Sequence, residues 1–192
     1  MKLSLMSIMD YTTSDGPGFR TSIYCAGCCH QCKNCQNPQT WDMAAGTPTD
    51  IEEIYQHVLE NEMADVTFSG GDPMYQPRAF TELAKMIKQN TNKNIWCYTG
   101  FTIEQILQNP AQAQMLPWID VLVDGMFVEE LKDPDLLFCG SSNQRLIDVK
   151  KTLQKRKVVL YEYDPFNLMA EPSTQPPLRA PYLEESLQLH EM

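Results

Sequence analysis

Five of the seven cysteines in this 192-residue chain lie within eleven positions, in the stretch "CAGCCHQCKNC" that runs from Cys25 to Cys35. Cysteine thiolates at such short spacings are ligands for zinc or for iron–sulfur clusters. A disulfide framework would instead spread its cysteines along the chain, and their total here is odd. The crowding therefore predicts a metal-binding or redox loop in a reducing, cytoplasmic setting.

The cysteine spacing fits one kind of metal centre better than two others. A four-cysteine zinc site needs two separated C-x2-C pairs, but these pairs overlap, and Cys97 and Cys139 are single. A ferredoxin-type run needs a cysteine where Gln39 stands. A C-x3-C-x2-C triplet is present, and three thiolates leave one iron of a four-iron cluster without a protein ligand. Two registers satisfy it: Cys28, Cys32 and Cys35, or Cys25, Cys29 and Cys32.

Strand and helix patterns alternate on both sides of the cysteine loop. Short strands are predicted within 1–10, 14–24, 64–73, 93–101 and 118–127, and helices within 49–60, 77–89 and 102–108. The first helix has Asp50 and Glu53 placed as a capping-box-like pair. Residues 145–163 predict a strand, a turn or helix, and a last strand.

This alternation predicts an α/β fold with a largely parallel sheet. The chemistry of parallel α/β folds lies at the carboxyl edge of the sheet. Four segments follow strands and are expected at that edge: the cysteine loop, the pair Gly70-Gly71, residues 98–100 and the pair Asp124-Gly125. Trp96, Tyr98 and Trp118 are expected in the core rather than at a cofactor.

Composition limits the classes of partner. A net charge of −10 argues against a nucleic-acid binder, and the basic cluster at 145–157 is expected to be a solvated helix face. No apolar stretch is long enough for a membrane helix, and no signal peptide is recognised. One domain is expected over residues 1–161. An acidic, proline-rich tail is expected over 162–192, extended or partly disordered.

Several motifs occur in an order that resembles one family. They are "DGPGFRTSIY", "GCCHQCKNCQNPQTW", "FSGGDP", "IWCYTGFT", "DVLVDGMFVEELKDP" and "GSSNQRLIDV". Together they resemble radical S-adenosylmethionine enzymes, and more narrowly the activating proteins of anaerobic (class III) ribonucleoside-triphosphate reductase. The resemblance implies a partial, open parallel β/α barrel of the radical S-adenosylmethionine type, one [4Fe-4S] cluster per chain, and S-adenosylmethionine as the second cofactor.

The resemblance also implies site residues. It selects Cys28, Cys32 and Cys35 as the metal ligands, because a glycine precedes the first and an N-x-x-T-W segment follows the third. It assigns S-adenosylmethionine contacts to two segments: Asn34, Cys35 and Gln36 beside the adenine, and Gly70, Gly71 and Asp72 at the methionine end. The family often has Pro-Gly where this chain has Lys33-Asn34.

The activity implied is reductive cleavage of S-adenosylmethionine and formation of a glycyl radical on the reductase, with a flavodoxin-like protein as electron donor. No catalytic side chain is required, because the cofactors carry the chemistry. One alternative is an activator of another glycyl-radical enzyme, such as pyruvate formate-lyase. A non-enzymatic alternative is a zinc-binding or electron-carrier module. For His30 the sequence leaves two alternatives, a donor to a neighbouring group or a surface histidine. Asp124 and Arg145 are expected to shape a partner surface.

Overall fold

The computed structural model describes residues 1–163 of the chain. The strands are β1 (Lys2–Thr12), β2 (Arg20–Cys25), β3 (Thr47–Asp50), β4 (Asp65–Gly70), β5 (Ile95–Tyr98), β6 (Val121–Asp124) and β7 (Arg145–Asp148). The helices are α1 (Ile51–Glu60), α2 (Pro77–Asn90), α3 (Ile103–Leu107), α4 (Pro110–Ala113) and α5 (Val149–Lys155). The predicted tail lies outside the described residues, except for Glu162 and Tyr163.

The strands form one sheet in the order β3-β1-β2-β4-β5-β6-β7. Its central strands β2, β4, β5 and β6 are parallel, as their alternation with helices predicts. The flanking strands β1, β3 and β7 are antiparallel to their neighbours. The sheet is not closed into a barrel, so the fold is mixed α/β with an open sheet.

The helices cover one face of this sheet and form the main core with it. On α2, Phe80, Leu83, Ala84 and Ile87 recur at helical spacing and are fully buried. They join alternate residues of the central strands, among them Phe68 of β4. The spacing predicted from the sequence for this helix is therefore confirmed.

The opposite face carries a small aromatic cluster instead of helices. Trp96 of β5 is fully buried and meets Phe138 and Tyr161 edge to face. Tyr163 also meets Phe138 edge to face, so the chain packs on the domain through the end of the described segment. Arg20 lies over the Trp96 ring and donates to the Val66 carbonyl. Burial lowers the pKa of Arg20 to about 10, so this side chain is a cation at neutral pH.

Some local predictions were wrong. The Asp50 side chain does not cap α1 and lies near the N-terminal amine and Lys2. Residues 158–163 form only an isolated bridge, between Leu160 and Ile147, rather than a last strand. The sequence patterns also missed β3 and α4. Within residues 1–163, no helix combines the length and apolar character needed to cross a membrane.

Candidate functional site

The cysteine loop, residues 26–41, is closed at its root by backbone hydrogen bonds. The Gly27 N–H donates to the Thr40 carbonyl at 2.7 Å, and the Cys28 N–H to the Trp41 carbonyl at 3.1 Å. Between these ends, Gln31 and Asn34 have left-handed backbone conformations on either side of Cys32. Such conformations reverse the chain sharply, so the loop folds back on itself and carries its thiols around one space.

That space is a cavity of about 710 Å³ at the carboxyl edge of the sheet. Three of the five crowded cysteines line it: Cys28, Cys32 and Cys35. The other two do not, because Cys25 is fully buried in the core at the end of β2 and Cys29 is exposed to solvent. In the part of the chain that is described, no three Cys, His, Asp or Glu side chains converge on a single-ion site.

The thiols that line the cavity have backbone N–H groups near their sulfurs. Burial raises the pKa of Cys28, and the N–H groups of His30 and Gln31 oppose that rise. Burial likewise raises the pKa of Cys32, opposed by the N–H of Phe127. The Asn37 N–H donates to Cys35 Sγ at 3.4 Å. Hydrogen bonds of this kind stabilise thiolates and tune metal centres that they bind.

The glycine loop, residues 69–73, lies directly against the root of the cysteine loop. The Gly71 N–H donates to the Cys25 carbonyl at 2.7 Å, and the Asp72 N–H to the Gly27 carbonyl at 2.8 Å. A Cβ atom at Gly71 would lie 2.5 Å from the Gly27 oxygen. The glycine is therefore required by the contact between the two backbones, in addition to any ligand that the loop binds.

Asp72 is fully buried, and both of its carboxylate oxygens accept hydrogen bonds. Oδ1 accepts from the Met74 N–H at 2.8 Å. Oδ2 accepts from His30 Nε2, from the Thr99 hydroxyl and from the Gly100 N–H, each at 3.0 Å. His30 is thus a donor to a neighbouring group and not a surface histidine, which decides between the two alternatives that the sequence left open.

Other side chains that line the cavity were given no role at the site from the sequence. Tyr24 donates to the Asp15 carboxylate, and both residues line the cavity. Burial, followed by the effect of Asp15, raises the pKa of Tyr24. Tyr98 packs against the core cluster of Trp96, as expected, and also lines the cavity. Alternation along β2 and β5 was the signal available, since Tyr24 and Tyr98 face away from the helices.

The segment 125–144 forms the far wall of the cavity and is held by its own amide side chains. Gln144 accepts from the Gly140 N–H at 2.8 Å and donates to the Gly125 carbonyl at 3.0 Å. Lys33 of the cysteine loop pairs with Glu130 at 3.0 Å. The "GSSNQR" motif therefore closes this wall around the thiols.

Arg145 and Asp124 lie in a second, smaller cavity of about 430 Å³ beside the first. Arg145 donates to the buried Asp124 carboxylate and forms two further hydrogen bonds to Glu104, at 2.8 and 3.1 Å. The hydrogen bonds from Arg145 hold the pKa of Glu104 at about 2. These three residues tie β6, β7 and α3 together; their expected role in a partner surface stays a prediction.

The predicted cofactor-contact residues differ in where they lie. Cys35, Gln36, Gly70, Gly71 and Asp72 all line the large cavity. Asn34 is exposed and lies off the cavity wall, so its contact with an adenine stays a prediction. The Asp72 carboxylate already accepts four hydrogen bonds from the protein, so it holds the glycine loop in place.

Comparison with known proteins gives two kinds of match. The 4Fe-4S single cluster domain family matches residues 14–147. Proteins described as anaerobic ribonucleoside-triphosphate reductase-activating proteins match most of the chain. That of Pasteurella multocida is 34% identical over 152 residues, covering 72% of this chain and 95% of the relative. That of Escherichia coli K12 is 36% identical over 141 residues, covering 68% and 88%. That of Enterobacteria phage T4 is 33% identical over 139 residues, covering 69% and 85%.

The match to the family model spans the cysteine loop, the glycine loop and the far wall of the cavity, which are the three segments that enclose the thiols. The family profile ends at Ile147, inside β7. By both sequence and domain match, this chain belongs to the family of anaerobic ribonucleoside-triphosphate reductase-activating proteins, with a 4Fe-4S single cluster domain.

Proposed function

We propose that this protein is a radical S-adenosylmethionine enzyme that generates a glycyl radical on an anaerobic ribonucleoside-triphosphate reductase. The observation that carries the proposal is that the five crowded cysteines lie in three different environments. Cys28, Cys32 and Cys35 share one cavity with the glycine loop, whereas Cys25 is sealed in the core and Cys29 faces solvent. The alternative register needs both of the latter.

The donor set of the cavity fits a [4Fe-4S] cluster. Three thiols with nearby N–H donors suit three irons, and a fourth iron without a protein ligand is open to a small molecule. The cavity volume of about 710 Å³ falls within the range of about 300–1,000 Å³ that is typical of ligand sites. Cys28, Cys32 and Cys35 would hold the cluster, with S-adenosylmethionine between them and the glycine loop.

With a cluster bound at Cys28, Cys32 and Cys35, a flavodoxin-like donor would provide the electron needed for reductive cleavage of S-adenosylmethionine, and the two cofactors would supply the radical chemistry that leaves a glycyl radical on the reductase. The residues of this chain bind and orient. Gly70 and Gly71 line the cavity without side chains that would fill it, and Gln36 lines it with an amide side chain. Tyr24 and Tyr98 line the same wall and reduce its contact with water.

The fold fits this activity. We interpret the open sheet, with helices on one face and the cavity at its carboxyl edge, as the partial β/α barrel of radical S-adenosylmethionine enzymes. We assign this activity to a domain of residues 1–161. Its seven free thiols suit the reducing cytoplasm.

The test is a series of single alanine variants in anaerobically reconstituted full-length protein. Cys28→Ala, Cys32→Ala and Cys35→Ala should each lose bound iron and sulfide and abolish cleavage of S-adenosylmethionine. Cys29→Ala should retain both, because its thiol is exposed and off the cavity. Cys25→Ala should retain the activity with a small loss of stability, about 1 kcal/mol, from the cavity left in the core. An inactive Cys25→Ala beside an active Cys35→Ala would reverse the register.

The partner is tested in the same preparations by electron paramagnetic resonance. Incubation with reductant, S-adenosylmethionine and the reductase should produce a glycyl radical on the reductase. A radical on pyruvate formate-lyase instead would favour the other activator class. Zinc in place of iron and sulfide, or a cluster without cleavage, would favour the non-enzymatic module.

A further inference from the structure

We propose that His30 is a positioning residue, which fixes the cysteine loop against the glycine loop through Asp72 and thereby sets where S-adenosylmethionine lies relative to the thiols. The inference rests on the proposed function for the identity of the ligand. The contact itself is independent of that function. It joins three segments that are far apart in sequence: residue 30, residue 72 and residues 99–100.

The arrangement begins with a carboxylate that has no access to solvent. Asp72 is 0% exposed, and its Oδ2 accepts three hydrogen bonds at 3.0 Å. Two of these come from Thr99 and Gly100, which follow β5. The third comes from His30, on the cysteine loop between two of the thiols that line the cavity. A buried carboxylate of this kind is costly unless every acceptor site is used, so removing one donor disturbs the whole junction.

His30 is held in position from its other sides as well. Its ring meets Phe101 edge to face, with centroids 4.5 Å apart. Gly100 lies directly beneath the ring, and a Cβ atom there would collide with it. The His30 side chain is only 11% exposed. A carboxylate oxygen only accepts, so the ring nitrogen Nε2 carries the hydrogen of this bond.

The consequence concerns the distance between the two halves of the cavity. The cysteine loop reaches the glycine loop by two backbone bonds at its root, Gly71 to Cys25 and Asp72 to Gly27. His30 adds a third link further along the loop, next to the thiols. Without it, the root stays attached, but the thiol-bearing part of the loop is free to shift relative to the glycine loop. Such a shift leaves the ligands intact and weakens the binding of a molecule that must touch both loops.

The experiment compares His30→Phe with His57→Phe in the reconstituted full chain. Phenylalanine at 30 retains the edge-to-face contact with Phe101 but has no donor for Asp72. His57 is the matched control, since it also pairs with an aspartate, Asp10, at 3.0 Å, but on the exposed surface. Three quantities are measured: the iron and sulfide content per chain, the dissociation constant of S-adenosylmethionine, and the hydrogen exchange of the Gly100 amide. The dissociation constant is obtained from the change that S-adenosylmethionine causes in the electron paramagnetic resonance spectrum of the reduced cluster.

For His30→Phe we expect iron and sulfide near the wild-type values, binding of S-adenosylmethionine weaker by about 10- to 100-fold, and faster exchange at Gly100. His30→Gln, which restores a donor, should recover part of the affinity, and His57→Phe should match the wild type. Unchanged affinity and unchanged exchange in His30→Phe would overturn the proposal.

Two outcomes keep this inference separate from the proposed function. If the wild type neither binds nor cleaves S-adenosylmethionine, the proposed function fails, while the exchange of Gly100 still reports whether the His30–Asp72 link holds the loops. If His30→Phe does not retain its cluster, the exchange of the Gly100 amide is measured on the protein as purified. Exchange as slow as in the wild type would then contradict the His30–Asp72 link.

Discussion

Replacement of Gly71 by alanine is expected to push the glycine loop away from the cysteine loop. The new Cβ atom would lie 2.5 Å from the Gly27 oxygen and 3.0 Å from the Gly27 carbonyl carbon. This is about 1 Å closer than the optimal separation of non-bonded heavy atoms. Both neighbours are backbone atoms at the root of the loop, so no flexible side chain is available to move aside.

The expected loss of stability follows from the hydrogen bonds that this displacement weakens. It stretches the Gly71–Cys25 and Asp72–Gly27 hydrogen bonds, now 2.7 and 2.8 Å long. Two such bonds contribute about 2 kcal/mol together, and overpacking adds about 1–3 kcal/mol. For a chain of this size, 1 kcal/mol corresponds to about 2–4 °C in melting temperature, so we expect a loss of about 10 °C. Thermal unfolding of the reconstituted protein is the assay, together with its iron content.

Gly18→Ala is the control for this prediction. Gly18 has a backbone φ of +71°, and a Cβ atom added there would have no heavy-atom neighbour within 4 Å. Its only penalty is the left-handed conformation, about 1–2 kcal/mol. It should leave iron content and the affinity for S-adenosylmethionine unchanged, whereas Gly71→Ala should reduce both. If Gly71→Ala melts no lower than Gly18→Ala and binds iron normally, the tight contact between the loops is refuted.

Two further predictions concern stability away from the thiols. Lys93→Met should lower the free energy of unfolding by about 2–3 kcal/mol, because Lys93 Nζ donates to the Asn61 and Ala64 carbonyls and the variant leaves them unpaired. The control Lys85→Met removes a partly exposed pair with Glu82 and should lower it by less than about 1 kcal/mol. Equal melting temperatures of the two variants would contradict this prediction. The pKa of Glu104 is lowered to about 2, so its contribution to stability is full above the unfolded value near 4 and is lost as the pH falls towards 2. Glu104→Gln should therefore flatten the fall of melting temperature between pH 4 and 2, and an unaltered acid profile would count against the Arg145 pairing.

The parts of the fold that the sequence predicted are those set by local pattern. Helix α2 and the parallel strands have apolar residues at the spacing of their own element, and the structure confirms them. Strand β3 has four residues, one of them Pro48, and exists through its pairing with β1. Thr47 and Thr49 favour a strand but Pro48 and Asp50 do not, so its own composition gives no clear signal. Asp50 followed the rule for a helix cap, but the N-terminal amine and Lys2 provide competing partners that a local pattern does not include.

The candidate site was predictable in type and ambiguous in detail. Residue types and spacing indicated a cluster loop, but a repeated spacing cannot separate two registers. Burial separates the cysteines, because β2 ends with Cys25 directed into the helical side of the sheet. Tyr98 packs against the core cluster of Trp96, as its residue type predicts, but the residue type alone did not indicate that it also lines the cavity. Which face of a strand borders a cavity depends on the loops that cover it.

The order of strands explains why motifs some 40 residues apart act as one site. Strands β2, β4 and β5 are adjacent and parallel, so the cysteine loop, the glycine loop and residues 99–100 all begin at one edge. Adjacent strands in a sheet are about 4.8 Å apart, which leaves little room between the loops that leave them. Gly70 and Gly71 fit into this narrow space because they have no side chains and allow close backbone contact. Asp72 fits there because it accepts hydrogen bonds from the two neighbouring loops, from His30 and from Gly100. The glycine motif therefore has a structural role that exists before any ligand binds, and substitutions there are expected to affect the thiols and the ligand together.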